Sequence, residues 1–286
     1  MPEPIKELSP AKINLFLRVG GKRRDGFHEI ETVFHSTDLC DEVFISECDG
    51  ISVRCGYPGV PDGKENLAYK AAEVLRNKTG CVKGALIDIK KVIPPGGGLA
   101  GGSGNAAAVL RGLNRLWETG LSEKEIMKIA EGLGSDVSFC VKNGAAFGTG
   151  RGEILEFRPV LRDVYFIIVC PGIFVSTAWA YNQLTLSLTE GVKKINFRGR
   201  YQSAVDDPFK LTALLYNDFE KTVFNRYPQI ARVKDIINGF DPIGALMSGS
   251  GSSVFGVFSN KEKAAAAAAF LSKDYPDTFL TEPRSH

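Results

Sequence analysis

At 286 residues the chain has room for one large domain or two of about 140 residues each. An apolar fraction of 44% supplies a buried core and excludes disorder. Thirty-five Lys and Arg against thirty-three Asp and Glu leave a net charge of +2, too little for a dedicated nucleic-acid or polybasic membrane binder.

The longest apolar runs, Val164 to Cys170 and Ala264 to Leu271, fall far short of the ~20 residues of a membrane helix. The opening MPEPIKELSP lacks the apolar core of a signal peptide, so a cytoplasmic protein is expected. The six cysteines make no CxxC pair and only three histidines accompany them. They read as reduced thiols, mostly packed as small hydrophobes, with no metal site.

The chain opens on an alternating strand. Ala11, Ile13, Leu15, Leu17 and Val19 share one face, and Lys12, Asn14, Phe16 and Arg18 the other, half-exposed one. GGKRRDG is a turn, Lys22-Arg23-Arg24 a solvated part of it, and Phe27 to Ser36 a second strand completing a hairpin. Glu42 to Ser46 and Ile51 to Cys55 are two further short strands. Asn66 caps a helix carrying Leu67, Ala71, Val74 and Leu75, which Gly80 stops. Ala85 to Val92 is a strand and Ser103 to Trp117 a helix. Ser122 and Glu125 form a capping box for another, ending at Gly132 to Gly134.

A domain boundary falls around Phe157 to Arg162. Beyond it come a buried strand at Val164 to Val169, helices including Pro228 to Asn238, and strands at Ala245 to Ser248 and Ser253 to Phe258. A helix opened by Asn260 and a strand near Thr278 close the chain. This order is that of a split β-α-β unit, so the class is α+β.

Seven of the nine residues from Gly96 to Gly104 are Gly or Ala, between a strand and a helix. Such a junction is an anion site. Helix-start N–H groups point outward, the macrodipole adds positive charge, and absent side chains admit phosphate oxygens. No GxxxxGK[ST], HRD or DFG string occurs. Gly96, Gly98 and Gly101 do satisfy GxGxxG, with Glu118 at the distance of a ribose-binding acid. That acid closes a helix, however, and ALIDIKKV alternates where a doubly wound sheet would be continuously apolar. The dinucleotide match is accidental.

PPGGGLAGGSGNAA resembles the phosphate loop of the GHMP kinases. SPAKINLFLRV, DGFHEIETVF, LGSDVSF, NDFE and GALMSGSGSSVFGVF narrow the resemblance to the branch whose acceptor is a cytidine-diphosphate-linked methylerythritol, in the non-mevalonate route to isoprenoids. It runs from about Ser9 to Phe258. The resemblance implies a two-domain α+β fold. Residues 1–158 form an ATP-binding half like domain 2 of ribosomal protein S5, and residues 159–286 a ferredoxin-like half. It also implies ATP-dependent phosphorylation of the acceptor's 2-hydroxyl, with Mg²⁺ carried on the ATP, a small-molecule partner and no nucleic acid. The rival reading is another kinase of this superfamily, acting on mevalonate or homoserine.

By the same resemblance Asp136 is the catalytic carboxylate that accepts the hydroxyl's proton, although Ser135-Asp136 could equally cap the following helix. Lys12 is the catalytic lysine, stabilising negative charge on the reacting oxygen or γ-phosphate, and Asn14 shares its face. Phe27 stacks on the cytosine, His28 bonds its polar edge and Tyr181 closes its other face. Asn66, Leu67 and Lys91 line the adenine pocket, though Asn66 is also explained as a cap. ATP phosphates lie along Pro94, Pro95, Gly96, Gly97, Gly98, Leu99, Ala100, Gly101, Gly102, Ser103, Gly104 and Asn105. The loop from Ser248 to Ser253 packs against the phosphate loop. The chain departs from the family at Gly104, where relatives carry Ser, at Ala100, where they carry Gly, and at Phe27, where Tyr is common. Ser138 and Ser252 replace prolines.

Overall fold

The computed structural model describes residues 3–184 and 195–285. Two long neighbouring strands, β1 (Ile5–Lys22) and β2 (His28–Ser46), start the chain. The expected strand at Glu42 to Ser46 is the continuation of β2, because Thr37 to Asp41 offers no glycine or proline to end it. By contacts the chain forms two units. The first holds residues 1–11, 39–95 and 100–143, the second 12–38, 96–99 and 144–286.

In the first unit β3 (Ile51–Arg54), α1 (Leu67–Thr79) and β4 (Ala85–Lys90) follow, then α2 (Gly101–Leu116), α3 (Glu123–Glu131) and α4 (Ser135–Lys142). β4 pairs antiparallel with the end of β2, Val43 opposite Ile89, and parallel with β3. The Asn66 side chain caps α1 by accepting from the Ala68 N–H, and Gly80 ends it in the left-handed region. Ser122 and Glu125 make the full capping box of α3. The buried face of α1 is Ala68, Ala71, Ala72 and Leu75, while Val74 is exposed. Small alanines there let α1 lie close against its neighbours.

The second unit adds β5 (Ala145–Thr149), β6 (Ile154–Arg158), β7 (Tyr165–Val169), α5 (Thr177–Gln183), α6 (Phe197–Asp206), β8 (Tyr216–Asn217), α7 (Phe219–Arg226), α8 (Pro228–Asn238), β9 (Gly244–Met247), β10 (Val254–Phe258), α9 (Lys261–Leu271) and β11 (Thr278–Thr281). β5 pairs antiparallel with the first half of β2 and with β6, and β8 parallel with β1 at Phe16 and Leu17. A separate antiparallel sheet has the order β11-β7-β10-β9. Numbered by appearance that is 4-1-3-2, the split β-α-β arrangement expected from the sequence. Ile230, Val233 and Ile237 of α8 and Ala264, Ala267 and Leu271 of α9 share its core with Ile167, Val169, Met247 and Val254.

Two corrections bear on the site. Every residue from Ser9 to Leu17 is buried, so on the polar face of β1 Lys12, Asn14 and Phe16 are covered, and of the four residues expected there only Arg18 is partly exposed. Phe16 on that face stacks on Phe197 at 5.0 Å. All six cysteines are free, but only Cys140 and Cys170 are buried. In the turn, Arg23 pairs with Asp25 and Glu29. Among the described residues no helix is long and apolar enough to cross a membrane.

His35, fully buried in β2, has one fixed tautomer: its Nε2 accepts from the Leu161 N–H at 3.0 Å, so Nδ1 donates to the Ser36 carbonyl at 2.8 Å. Burial pushes its pKa down from 6.5 to about 4. The unfolded chain therefore binds a proton that the fold refuses, and the stability is present above pH 6.5 and lost as pH falls towards 4. At ~1.4 kcal/mol per unit the loss reaches about 3 kcal/mol. Urea unfolding of the wild type and His35→Gln between pH 7 and 4 should show this extra slope in the wild type alone; equal slopes would exclude it.

Candidate active site

The phosphate loop is anchored from beneath by a residue the sequence reading passed over. Asp41 of β2 has no exposed surface. Its carboxylate accepts from the Val92 and Ile93 N–H groups at 2.7 and 2.8 Å, from Lys91 Nζ at 2.6 Å and from Asn105 Nδ2 at 3.1 Å. Lys91, its side chain only 3% exposed, lies where a Cβ at Gly101 would come within 2.8 Å of Nζ. One carboxylate thus joins the end of β4 to the first turn of α2. The Lys91 and Asn66 side chains are committed inside the protein, Asn66 to the Ala68 N–H and the Pro61 carbonyl. Leu67 is half-buried beside Asn66.

Ala100 offers no side-chain cap to α2, so the helix start is suited to receive an anion. Ala100, its N-cap, sits at φ 57°, a left-handed position that costs a non-glycine residue roughly 1–2 kcal/mol. The glycine of relatives suits it better. A Cβ at Gly102 would meet nothing within 4 Å, but one at Gly104 would lie 2.5 Å from Ser9 Oγ. That hydroxyl is buried with no hydrogen-bond partner among the described residues. Ser9 therefore occupies the space a serine at 104 would need. Gly104→Ser should cost about 1–3 kcal/mol by overpacking, and much less in a Ser9→Ala background. Urea midpoints measure both, and the same cost in the two backgrounds would refute the clash.

Loop residues 96–99 are held within the second unit. Gly96 and Gly98 take φ 73° and 77°. A Cβ at Gly98 would lie 2.2 Å from the Ser248 carbonyl, so the β9–β10 turn can seat there only against glycine. Ser248 Oγ donates to the Gly98 carbonyl at 3.0 Å and the Ser253 N–H to Gly97 at 3.1 Å. The Lys12 N–H donates to the Leu99 carbonyl at 3.1 Å. Pro94 and Pro95, the latter exposed, lead into the loop.

Lys12 is 4% exposed. Its ammonium donates to Asn14 Oδ1 at 2.7 Å, and Asn14 Nδ2 donates to Thr32 Oγ1 at 2.8 Å. Thr32 Oγ1 in turn donates a hydrogen bond to the Phe16 carbonyl at 2.7 Å. Both ends of the Asn14 amide are thereby assigned. The NDFE segment, seen in the sequence without a role, builds the frame around this row. Asn217 Nδ2 donates to the Met247 and Gly249 carbonyls at 2.7 and 2.8 Å, and a Cβ at Gly249 would lie 3.5 Å from Asn14 Oδ1. Asp218 accepts from the Val19 N–H at 2.6 Å and from Tyr216 OH. Burial first, and Asp218 second, push that phenol up to about 12. Glu220 accepts from Lys234 and from the Met247 N–H.

His28 and Tyr181 stack at 5.2 Å, and Tyr181 meets Phe219 edge-on at 4.8 Å. Burial, then the charge of Lys22, lower the His28 pKa, so its ring is neutral at pH 7 and can both donate and accept. Phe27 is exposed beneath the Arg151 guanidinium, 5.0 Å from its ring centre; Arg151 carried no signal in the sequence. Asp136 is half-buried in the first turn of α4. The N-cap of α4 is Gly134 and no side chain caps it, so Asp136 does not take the capping role left open above. The C-terminal turn of α4 bonds to Arg111 of α2.

The GHMP kinases N terminal domain matches residues 66–144 and the GHMP kinases C terminal domain residues 205–277. The 4-diphosphocytidyl-2-C-methyl-D-erythritol kinase of Geobacter sp. (strain M21) is 42% identical, covering 93% of this chain and 94% of its own. That of Gloeobacter violaceus is 41% identical, covering 91% and 88%. The chain belongs to this kinase family. The crystal structure of a 4-(cytidine 5'-diphospho)-2C-methyl-D-erythritol kinase superposes with a TM-score of 0.83 at 28% identity, covering 99% of this chain and all of the other. The chain is accordingly an ATP-dependent small-molecule kinase of the two-domain α+β GHMP fold.

Proposed function

We propose that the protein transfers the γ-phosphoryl group of ATP to the 2-hydroxyl of 4-diphosphocytidyl-2-C-methyl-D-erythritol, with release of ADP and a proton, in the non-mevalonate route to isoprenoid precursors. The observation that carries this is 42% identity to a relative bearing that name, over 93% of the chain.

Phosphoryl transfer is mostly positioning and charge stabilisation, and the residues fit those tasks. The uncapped start of α2 and the glycine-rich loop from Pro94 to Asn105 would hold the ATP phosphates. The adenine would lie against the backbone at Asn66, Leu67 and Lys91, whose polar side chains are already bonded internally. Asp136 takes the hydroxyl proton. Lys12, its ammonium fixed by Asn14, stabilises charge on the transferring group. Phe27 offers a stacking face, the neutral His28 bonds the cytosine's edge, and Tyr181 orients His28 from behind and closes the base site. Mg²⁺ neutralises phosphate charge when bound and arrives with ATP. Among the described residues no group of three His, Cys, Asp or Glu could hold a metal ion, and Ser103 is the hydroxyl left on the loop.

The working division into ATP-binding residues 1–158 and a C-terminal half 159–286, a cytoplasmic location and the absence of a nucleic-acid partner belong to the same proposal. ADP release with the cytidyl acceptor, mevalonate, homoserine or no acceptor tests it. Turnover with the cytidyl compound alone supports the reading. Turnover with another alcohol keeps the kinase and discards the roles of Phe27, His28 and Tyr181.

A further inference from the structure

Arg111 projects from the third turn of α2, the helix that begins at the phosphate loop. Its Nη1 donates to the Cys140 and Val141 carbonyls at 2.8 and 3.2 Å, its Nη2 to the Leu8 carbonyl at 2.7 Å, and its Nε to Glu7 Oε2 at 2.9 Å. Cys140 and Val141 lie in the last turn of α4, where carbonyls have no partner within the helix. A cation there also complements the helix dipole. Glu7, only 12% exposed and also bonded by Arg115, balances the charge. Leu8 is four residues before Lys12 on β1.

The seat of α2 fixes where this fork reaches. At Gly112 a Cβ would lie 2.3 Å from Ile45 Cδ1 of β2, so the helix lies as close to the strand as a missing side chain allows. At the opposite end of α4, its N-terminus, the N-cap is Gly134, which has no side chain. In the eight-residue helix, a rod of about 12 Å, Arg111 grips the end away from Asp136.

We propose that Arg111 is a positioning residue of phosphoryl transfer: by gripping the C-terminus of α4 and the Leu8 carbonyl of β1 from α2, it fixes the placement of Asp136 relative to the phosphate-binding helix start. This rests on the reading of Asp136 as the proton acceptor. Misplacing a reacting group by about 1 Å can cost on the order of 10²-fold in rate. A role carried through Asp136 disappears when the carboxylate is removed, whereas a general loss of structure does not.

The test is a double-mutant cycle on the full-length enzyme, with kcat, the KM of each substrate and ATP affinity measured separately. Arg111→Gln should lower kcat by about 10–10²-fold with ATP affinity nearly unchanged, and should change the residual kcat less than about twofold once Asp136→Asn is present. Arg111→Lys keeps the charge without the planar fork. It should show a smaller loss with the same dependence on Asp136, and it serves if the glutamine variant does not fold. An equal fold-loss in both backgrounds, or a fall in ATP affinity that accounts for the loss, overturns the inference while leaving the function intact. Near-full activity of Asp136→Asn alone overturns the reading of Asp136 and the inference with it.

Discussion

Asp136→Asn should lower kcat by about 10²–10⁴-fold, the range of general acid–base catalysis, with little change in the KM of either substrate. Asparagine keeps the size of the side chain and cannot take a proton from the acceptor hydroxyl. The fold should tolerate it. Asp136 lies inside the first turn of α4, and the cap is Gly134. The helix dipole accounts for about 0.3–1 kcal/mol of any loss, the interaction of one partly exposed carboxylate. Two measurements on the same sample therefore decide between chemistry and structure. A deep loss of kcat beside a small shift in the urea midpoint assigns Asp136 to the reaction. A loss of about 1 kcal/mol with near-normal turnover would assign it to the helix.

Much of the fold was legible because its elements carry their own punctuation. Asn66 and Gly80 bracket α1, Ser122 and Glu125 open α3, and Pro228 starts α8. What failed did so where tertiary contacts overrode local pattern. Alternation placed Lys12, Asn14 and Phe16 on a half-exposed face, but the elements covering β1 come from distant sequence, such as Phe197 against Phe16. β2 was divided at Thr37 to Asp41, although the segment holds no glycine or proline and the strand runs through it.

The candidate site shows the same split. The glycines between Gly96 and Gly104 announce a backbone that must approach something closely, so the loop was visible at once. The side chains that hold it in place were not. Asp41, Thr32 and Arg111 act through partners 16 to 104 positions away, and no spacing rule connects them. A carboxylate within the strand segment CDEVF was the one hint of Asp41, since buried acids in strands require partners. NDFE stood out as a motif, yet its Asn217, Asp218 and Glu220 side chains bond to β1, β9, α8 and the Phe219 N–H, which only the folded chain discloses.

Removal of Asp41 should produce the largest loss of stability. In Asp41→Ala the Lys91 ammonium stays nearly buried without its counter-charge, and the Val92 and Ile93 N–H groups and the Asn105 amide lose their acceptor. Breaking one side of a buried pair costs about 3–5 kcal/mol, and each orphaned donor adds to it. The stretch from Lys91 to Ile93 leads directly into the phosphate loop, so ATP affinity should fall with stability. A second variant separates the two effects. Asp41→Ala with Lys91→Met removes both charges, which is often close to neutral when a buried pair is replaced by apolar groups, and should restore part of the stability. The Val92 and Ile93 N–H groups still lack an acceptor in that variant, so the loop entry stays loose and ATP affinity should remain low. Urea unfolding and nucleotide titration of the three proteins make the comparison. If Asp41→Ala unfolds within about 1 kcal/mol of the wild type and binds ATP as well, the anchor is not Asp41, and the loop must be held by the Ser248 and Ser253 bonds to Gly97 and Gly98.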